Sequence, residues 1–287
     1  MYRNRFVAYL TWRVVLKQPR LRLLVTRMLV RNRCEWIRLF GTKVFVNRRA
    51  EIGYWRANRD QHRSAVLRDE IPSLLRISAL VARASTFVDC GANVGLFTAA
   101  MLPLKKLFPD LKFYAYEANP DTFLRLARTL AESEAIIGNV ALSNHEGVLE
   151  MVGGAVSGVF GVPGGPFQIE GDLSTVLCRR LDSCGIRGSR LFLKIDVEGH
   201  EFEVLEGASG LFEEHRVLGV FIDGATKEKE CLELLSKYGF SILNMGDLGC
   251  FATGDFRILA VQRHYLGSGE PEEVVAGNDD ERHCLTD

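Results

Sequence analysis

Three runs of this chain place an acidic side chain where an apolar stretch ends: Phe87-Val-Asp-Cys-Gly-Ala-Asn-Val-Gly95, Tyr114-Ala-Tyr-Glu-Ala-Asn-Pro120 and Leu191-Phe-Leu-Lys-Ile-Asp-Val-Glu-Gly-His-Glu201. The first turns through small residues into a helix-like segment, Leu96–Leu104, so a ligand there meets bare backbone and the positive end of a helix. Glu117 follows Asp89 by about one β-α-β unit, where a carboxylate can accept hydrogen bonds from both hydroxyls of a ribose. The third run crowds Asp196, Glu198 and His200 together, and such groups orient a hydroxyl or take its proton. These residues suit a nucleoside cofactor lying beside an acid–base cluster.

Gly91-Ala-Asn-Val-Gly95 lacks the three glycines of the dinucleotide fingerprint that seats a diphosphate on a helix. Asp89 ahead of the glycines would repel a pyrophosphate and attract a cationic amino-acid group. S-adenosylmethionine therefore fits, and NAD fits less well. The expected cofactor contacts are Asp89, Gly91, Asn93, Gly95 and Glu117. Asp89 and Asn93 could instead order the turn. Asn139 either borders the adenine or makes a structural strand-end hydrogen bond.

Taken in order with Asn139-Val-Ala-Leu-Ser143, Leu181-Asp182 and Val204-Leu-Glu-Gly-Ala208, these runs resemble the FkbM-type family of S-adenosylmethionine-dependent methyltransferases. The likeness covers the middle and most of the C-terminal half, and Lys194-Ile-Asp-Val-Glu-Gly-His-Glu201 is its most specific part. It implies an α/β chain with a Rossmann-like, seven-strand class I methyltransferase fold and a mostly parallel sheet. It also implies O-methylation of a hydroxyl-bearing small molecule or glycan, with a sugar, glycan or glycolipid hydroxyl as the favoured acceptor. Cys90 stands where the family has an aliphatic residue, and Asp223 ends a strand where the family commonly has glutamate. A different nucleotide-dependent enzyme, such as an oxidoreductase, and a noncatalytic cofactor-binding scaffold are the alternative readings.

Along the strand ending at Ile195, alternation sends Lys194 and Asp196 to one side. Asp196 would then emerge at the carboxyl edge, to orient the acceptor hydroxyl or meet the cofactor's amino-acid end. His200 is the more natural titratable base, since imidazole exchanges a proton near neutral pH. Glu198 would orient substrate and Glu201 would cap or brace the following helix, and for both an exposed surface acid is the plain alternative. The acids and histidine of this run specify no convergent metal-ligand set, so no metal ligand is assigned.

At 287 residues with 47% hydrophobic and 25% charged residues, the chain can bury one substantial core. Its formal net charge is zero, which favours no polyanionic partner. Seven cysteines form no CxxC pair and no zinc spacing, which reads as reduced thiols of a cytoplasmic protein. The first forty residues are basic with Glu35 as their only acid, and Leu21, Leu24, Val25 and Met28 can share one helical face. That face either packs on the catalytic domain or lies peripherally on an anionic membrane. Nucleic acid is disfavoured because no recognition module accompanies the basic segment. Oligomeric state is not legible.

These patterns divide the chain into a basic, partly helical extension (1–63), a methyltransferase domain (64–266) and an acidic tail (267–287). Lys43–Val46 reads as a short strand and Ser64–Val81 as a helix. Strands are expected at Phe87–Asp89, Lys112–Tyr116 and Ile136–Val140, with helices at Leu96–Phe108 and at Asp121–Ser133, the latter capped by Asp121. Between Gly147 and Gly171 a loop or small hairpin is expected, in which Phe160 and Phe167 could face a sugar or simply tether the loop. After it come a helix from Ser174 through Cys184, strand Leu191–Ile195, a helix from Gly199 or His200, and strand Val217–Ile222. Helix Lys227–Tyr238 leads to an antiparallel pair, Phe240–Asn244 and Arg257–Gln262, joined by a loop over Gly246–Asp255.

Overall fold

The computed structural model describes residues 28–59, 65–153, 160–163, 172–224, 226–243 and 257–265. An antiparallel hairpin of β1 (Cys34–Leu39) and β2 (Thr42–Asn47) leads into helices α1 (Ile52–Arg59) and α2 (Ala65–Val81). Next come β3 (Thr86–Cys90), α3 (Leu96–Met101), β4 (Lys112–Glu117), α4 (Pro120–Thr129) and β5 (Ile136–Asn139). A second, four-stranded sheet follows from β6 (Ala141–Leu142), β7 (Gly147–Gly153), β8 (Phe160–Gly161) and β9 (Asp172–Arg179). The main layer resumes with β10 (Leu191–Ile195), α5 (Glu201–Glu206), α6 (Ser209–Glu213), β11 (Val217–Asp223), α7 (Glu228–Lys237), β12 (Phe240–Leu243) and β13 (Arg257–Gln262).

Seven strands form the central sheet in the order β12-β13-β11-β10-β3-β4-β5. All run parallel except β13, which is antiparallel to both neighbours. This is the mostly parallel seven-strand α/β arrangement expected from the sequence. From β3 the chain moves outward to β5, then returns to lay β10 on the other side of β3. The loops after β3 and β10 therefore leave adjacent strands in opposite directions, and a crevice opens between them at the carboxyl edge.

Both faces of this sheet are covered, which is why β3 and β10 are buried at every position. One face sets Val88, Leu193 and Val220 against Val204 and Leu205 of α5, Phe212 of α6 and Leu235 of α7. The other sets Phe87, Phe192 and Phe221 against Leu74 and Ile77 of α2 and Phe97 of α3. Full burial of a side chain such as Phe192 contributes roughly 1.5–3 kcal/mol. Ile37, Leu39, Val44 and Val46 of the hairpin share a third cluster with Leu96 of α3 and Leu126 of α4. The described part of the basic extension thus lies against the domain.

Three local expectations are corrected. The helix begun at Leu96 ends at Met101 and tightens into a 3-10 helix over Leu102–Lys106, because Pro103 has no N–H to continue the α-helical ladder. Asn119, not Asp121, caps α4: its side-chain oxygen accepts from the backbone N–H groups of Asp121 and Thr122, with Pro120 at the first helical position. Most of the helix expected over Ser174–Cys184 is strand β9. Leu173, Thr175 and Leu177 are exposed while Val176 and Cys178 are buried, a period of two that suits pairing with β7 along its whole length. Strand β1 and helix α1 were not anticipated. The apolar face assigned to Leu21, Leu24 and Val25, the loop over Gly246–Asp255, the tail after Gly267, Phe167 and the side chain of Phe160 lie outside the described residues.

Candidate functional site

The turn after β3 is left-handed at Gly91, Asn93 and Gly95, with φ of 74°, 50° and 84°. Gly91 and Ala92 both donate to the Tyr116 carbonyl, at 3.0 and 2.9 Å, which lays the turn over the end of β4. A Cβ on Gly91 would sit 1.8 Å from the Asp196 carbonyl oxygen, so only glycine lets the β3 and β10 loops close on each other. Asn93 donates its backbone N–H to Glu117 Oε2 at 2.9 Å. Its own Oδ1 is enclosed and has no hydrogen-bond partner among the described residues.

Glu117 is fixed at both oxygens, since Oε1 accepts from the Asn119 N–H at 2.9 Å while Oε2 takes that of Asn93. Each oxygen keeps a further lone pair for a ligand hydroxyl. Burial pushes its carboxyl up to about 7, against the pull of these two N–H donors and of Lys194. Asn139 makes a strand-end bond to the neighbouring β4: its Nδ2 donates to the carbonyls of Glu117 and Ala118 at 2.8 and 3.0 Å. Asn93, Glu117, Ala118, Ala141, Met151 and Asp196 line a cleft of about 640 Å³, partly open to solvent. Gly91, Glu198 and His200 also reach it, whereas Asp89, Gly95 and Asn139 do not line it.

Asp89 lies one layer beneath, fully buried. Its Oδ2 accepts from the Thr98 hydroxyl at 2.8 Å, and its Oδ1 is 3.2 Å from the Lys194 ammonium. Lys194 donates to the Gly91 carbonyl at 2.9 Å, stands 3.3 Å from Asp196 Oδ2 and sits over the Phe97 ring at 5.2 Å. Burial alone would depress the lysine's pKa, but the charges of Asp89 and Asp196 outweigh it and hold the ammonium well above its ordinary range. Lys194 thus pins the first loop from below and connects Asp89 to Asp196.

Past β10 the carboxylates crowd. Asp196 is raised by burial, with Lys194 opposing and Asp223 adding to the rise. Glu198, itself left-handed at φ 54°, is pushed up to about 7 by burial and then by the charges of Asp196 and Glu201. Glu201 is buried and reaches back to accept the Gly199 N–H at 2.8 Å, the bracing role expected of it. His200 Nε2 lies 2.8 Å from the hydroxyl of buried Ser143, and its Nδ1 lies 3.5 Å from Glu203 Oε2. Burial lowers the imidazole's pKa, so the ring is neutral near pH 7 with its Nε2 held by Ser143. Sequence reasoning missed both Ser143, which meets His200 only through folding across 57 residues, and Glu203, its i,i+3 neighbour at the start of α5.

Backbone without side chains at Gly91, an orphaned Asn93 oxygen and a two-oxygen acceptor at Glu117 together fit a nucleoside that carries a polar, cationic amino-acid end. The Methyltransferase FkbM domain family matches residues 89–242, more than half of the chain. Among solved structures, magnesium protoporphyrin IX methyltransferase from Synechocystis PCC 6803, with bound SAM, is 14% identical at a TM-score of 0.39, covering 75% of this chain and 93% of that one. Precorrin-6y C5,15-methyltransferase from Geobacter metallireducens GS-15 is 12% identical at a TM-score of 0.37, covering 68% and 88%. No curated protein matches this chain.

Proposed function

The chain belongs to the FkbM family of S-adenosylmethionine-dependent methyltransferases, and from that premise we propose that it methylates a hydroxyl oxygen of a sugar, glycan or glycolipid. The observation that carries the placement is Glu117, whose two oxygens are held by Asn93 and Asn119 while it lines the cleft that also contains Asp196. In this reading Glu117 holds the ribose hydroxyls, Gly91 lets the turn approach the ligand, Gly95 lets the turn close on Leu126 of α4, and Asn93 Oδ1 accepts from the amino-acid end. Asp89 acts through Lys194 and the loop rather than by contact. When bound, the cofactor supplies an activated methyl on a sulfonium.

Asp196 orients the acceptor hydroxyl, so that its oxygen lies in line with the methyl and water is kept from that position. Glu198, which also lines the cleft, bonds a neighbouring hydroxyl of the acceptor. Neutral His200, held by Ser143 with Glu203 nearby, forms a fixed wall. Cell extract supplied with labelled cofactor, followed by mass identification of the product, tests the reading. Asp196→Asn should reduce transfer by about a hundredfold or more, with cofactor affinity kept. His200→Ala should lose only a few-fold and keep the shape of the pH–rate profile. A vanished near-neutral limb in the histidine variant would instead make it the base.

For the cellular setting we propose peripheral contact with anionic lipid. No helix among the described residues is long and apolar enough to cross a membrane. Residues 1–27 carry Arg3, Arg5, Arg13, Lys17, Arg20, Arg22 and Arg27 with no acid, and Met28 and Leu29 are 76% and 78% exposed. Sedimentation with anionic vesicles should exceed that with neutral ones and weaken with salt. Equal recovery on both vesicle types would reject the contact.

A further inference from the structure

Helix α2 packs on the sheet through Leu74, Ile77 and Val81, a buried stripe at helical spacing. The outer positions of such a helix are normally polar. Here they include Ile71 and Leu75, one turn apart and both exposed, Leu75 by 67%. Leu107, which is 75% exposed, lines a groove with them, together with Met101, Pro103 and Phe40 of the turn between β1 and β2. The groove is open to solvent and encloses about 830 Å³. Its lining holds no titratable side chain among the described residues, and its hydroxyl, Ser78, donates to the Leu75 carbonyl of its own helix at 2.8 Å. None of the cleft residues lines it, and Phe40 and α2 precede the segment that the family matches.

The rim carries the opposite chemistry. The three stretches that supply the lining, 38–43, 71–83 and 99–108, hold Arg38, Lys43, Arg76, Arg83, Lys105 and Lys106 and no acid. Arg38 and Lys43 are exposed and sit directly opposite each other in the hairpin, where like charges cost stability unless an anion lies nearby. Glu134 pairs with Lys105, while Lys106 is exposed beside it. A fitting occupant is apolar where it fills the groove and anionic where it meets the rim. Residues 1–27 carry the same sign as the rim, and 267–287, though acidic, offer only Val274, Val275 and Leu285 as large apolar side chains. A bilayer of anionic phospholipid supplies both acyl chain and negative headgroup. We propose that the groove is a membrane-docking surface: Ile71, Leu75, Leu107 and Phe108 enter the headgroup boundary of an anionic phospholipid bilayer, while Arg38, Lys43 and Lys106 meet its phosphates. This contact is independent of the one proposed for residues 1–27, and it suits an acceptor hydroxyl borne by a glycolipid.

The test is co-sedimentation of the full chain with phosphatidylcholine vesicles, with and without phosphatidylglycerol, at rising salt. Leu75→Glu combined with Leu107→Glu should weaken binding to the anionic vesicles by about tenfold or more. Lys43→Gln or Lys106→Gln should each weaken it by about fivefold at low salt. Both leucines are exposed and lie outside the cleft, so their double variant should keep the wild-type melting temperature and S-adenosylmethionine affinity. Leu107→Trp reports insertion: its added fluorescence should shift to the blue on anionic vesicles and be quenched by bromine-labelled acyl chains. Changing Arg20, Arg22 and Arg27 to Gln in the full chain separates this surface from the extension. Binding lost in that variant but kept in the leucine pair overturns the groove and leaves the extension as the contact; the reverse pattern supports the groove and rejects the extension. Wild-type binding by the folded leucine pair, or a Leu107→Trp signal that vesicles leave unchanged, overturns the proposal. So does a dimer in sedimentation equilibrium that the leucine pair dissolves while vesicle binding is absent, which assigns the groove to a second copy of the chain.

Discussion

Glu117→Ala should weaken S-adenosylmethionine binding by between about tenfold and a hundredfold, read by calorimetry on folded protein. A hydrogen bond to a charged acceptor is worth about 1.5–3 kcal/mol, and about 1.4 kcal/mol is a factor of ten in affinity. Removing Glu117 forfeits the acceptor for the ribose and also leaves the Asn93 and Asn119 N–H groups without their carboxylate. The loop after β3 then loses the contact that sets its height over β4. Because burial raises this carboxyl to about 7, the charged form is half lost by neutral pH. Wild-type affinity should therefore fall as pH drops through 7, and in Glu117→Gln that dependence should flatten. Stability moves the other way: with a raised folded-state value, the apoprotein loses stability as pH climbs from the ordinary glutamate range through about 7. An unaltered affinity in Glu117→Ala would remove the cofactor from this end of the cleft.

The strand ends were legible because each combines a local apolar run with a charge that must find the edge of the sheet. The strands expected at Phe87–Asp89 and Leu191–Ile195 are found at Thr86–Cys90 and Leu191–Ile195 for that reason, while the need for glycine at 91 shows only when the Asp196 carbonyl is set against it. Strand β9 misread as a helix because its alternation is visible only once β7 shows which side is covered. Strand β1 was hidden because Glu35 shares the side of Ile37 and Leu39, its charge met there by Arg48 and Trp55, while Trp36 on the other side is exposed. At the site, sequence distance located Glu117 but could not say what lies over Asp89. The register that sets Lys194 directly beside Asp89 joins positions 105 residues apart. The Ser143–His200 contact spans 57 residues. None of these has a local signal.

Register also decides the second large effect, which differs from what the motif alone would suggest. If Asp89 touched the cofactor, Asp89→Ala would lose affinity and keep its fold. In the structure Asp89 is the buried partner of a buried ammonium, and Lys194 in turn holds the Gly91 carbonyl. Breaking a buried pair by removing one member costs about 3–5 kcal/mol, because the remaining charge is left without compensation. Asp196 cannot make up the loss, since its carboxylate is 38% exposed and already engaged at 3.3 Å. Asp89→Ala should therefore lower the melting temperature by about 10 °C, with weaker cofactor binding as a consequence of a loosened loop. Asp89→Leu combined with Lys194→Met removes both charges and should recover much of the stability while leaving binding impaired. Thermal unfolding of the single and double variants separates the two accounts. A single variant that melts within about 1 °C of wild type yet binds cofactor poorly would return Asp89 to direct contact with the ligand.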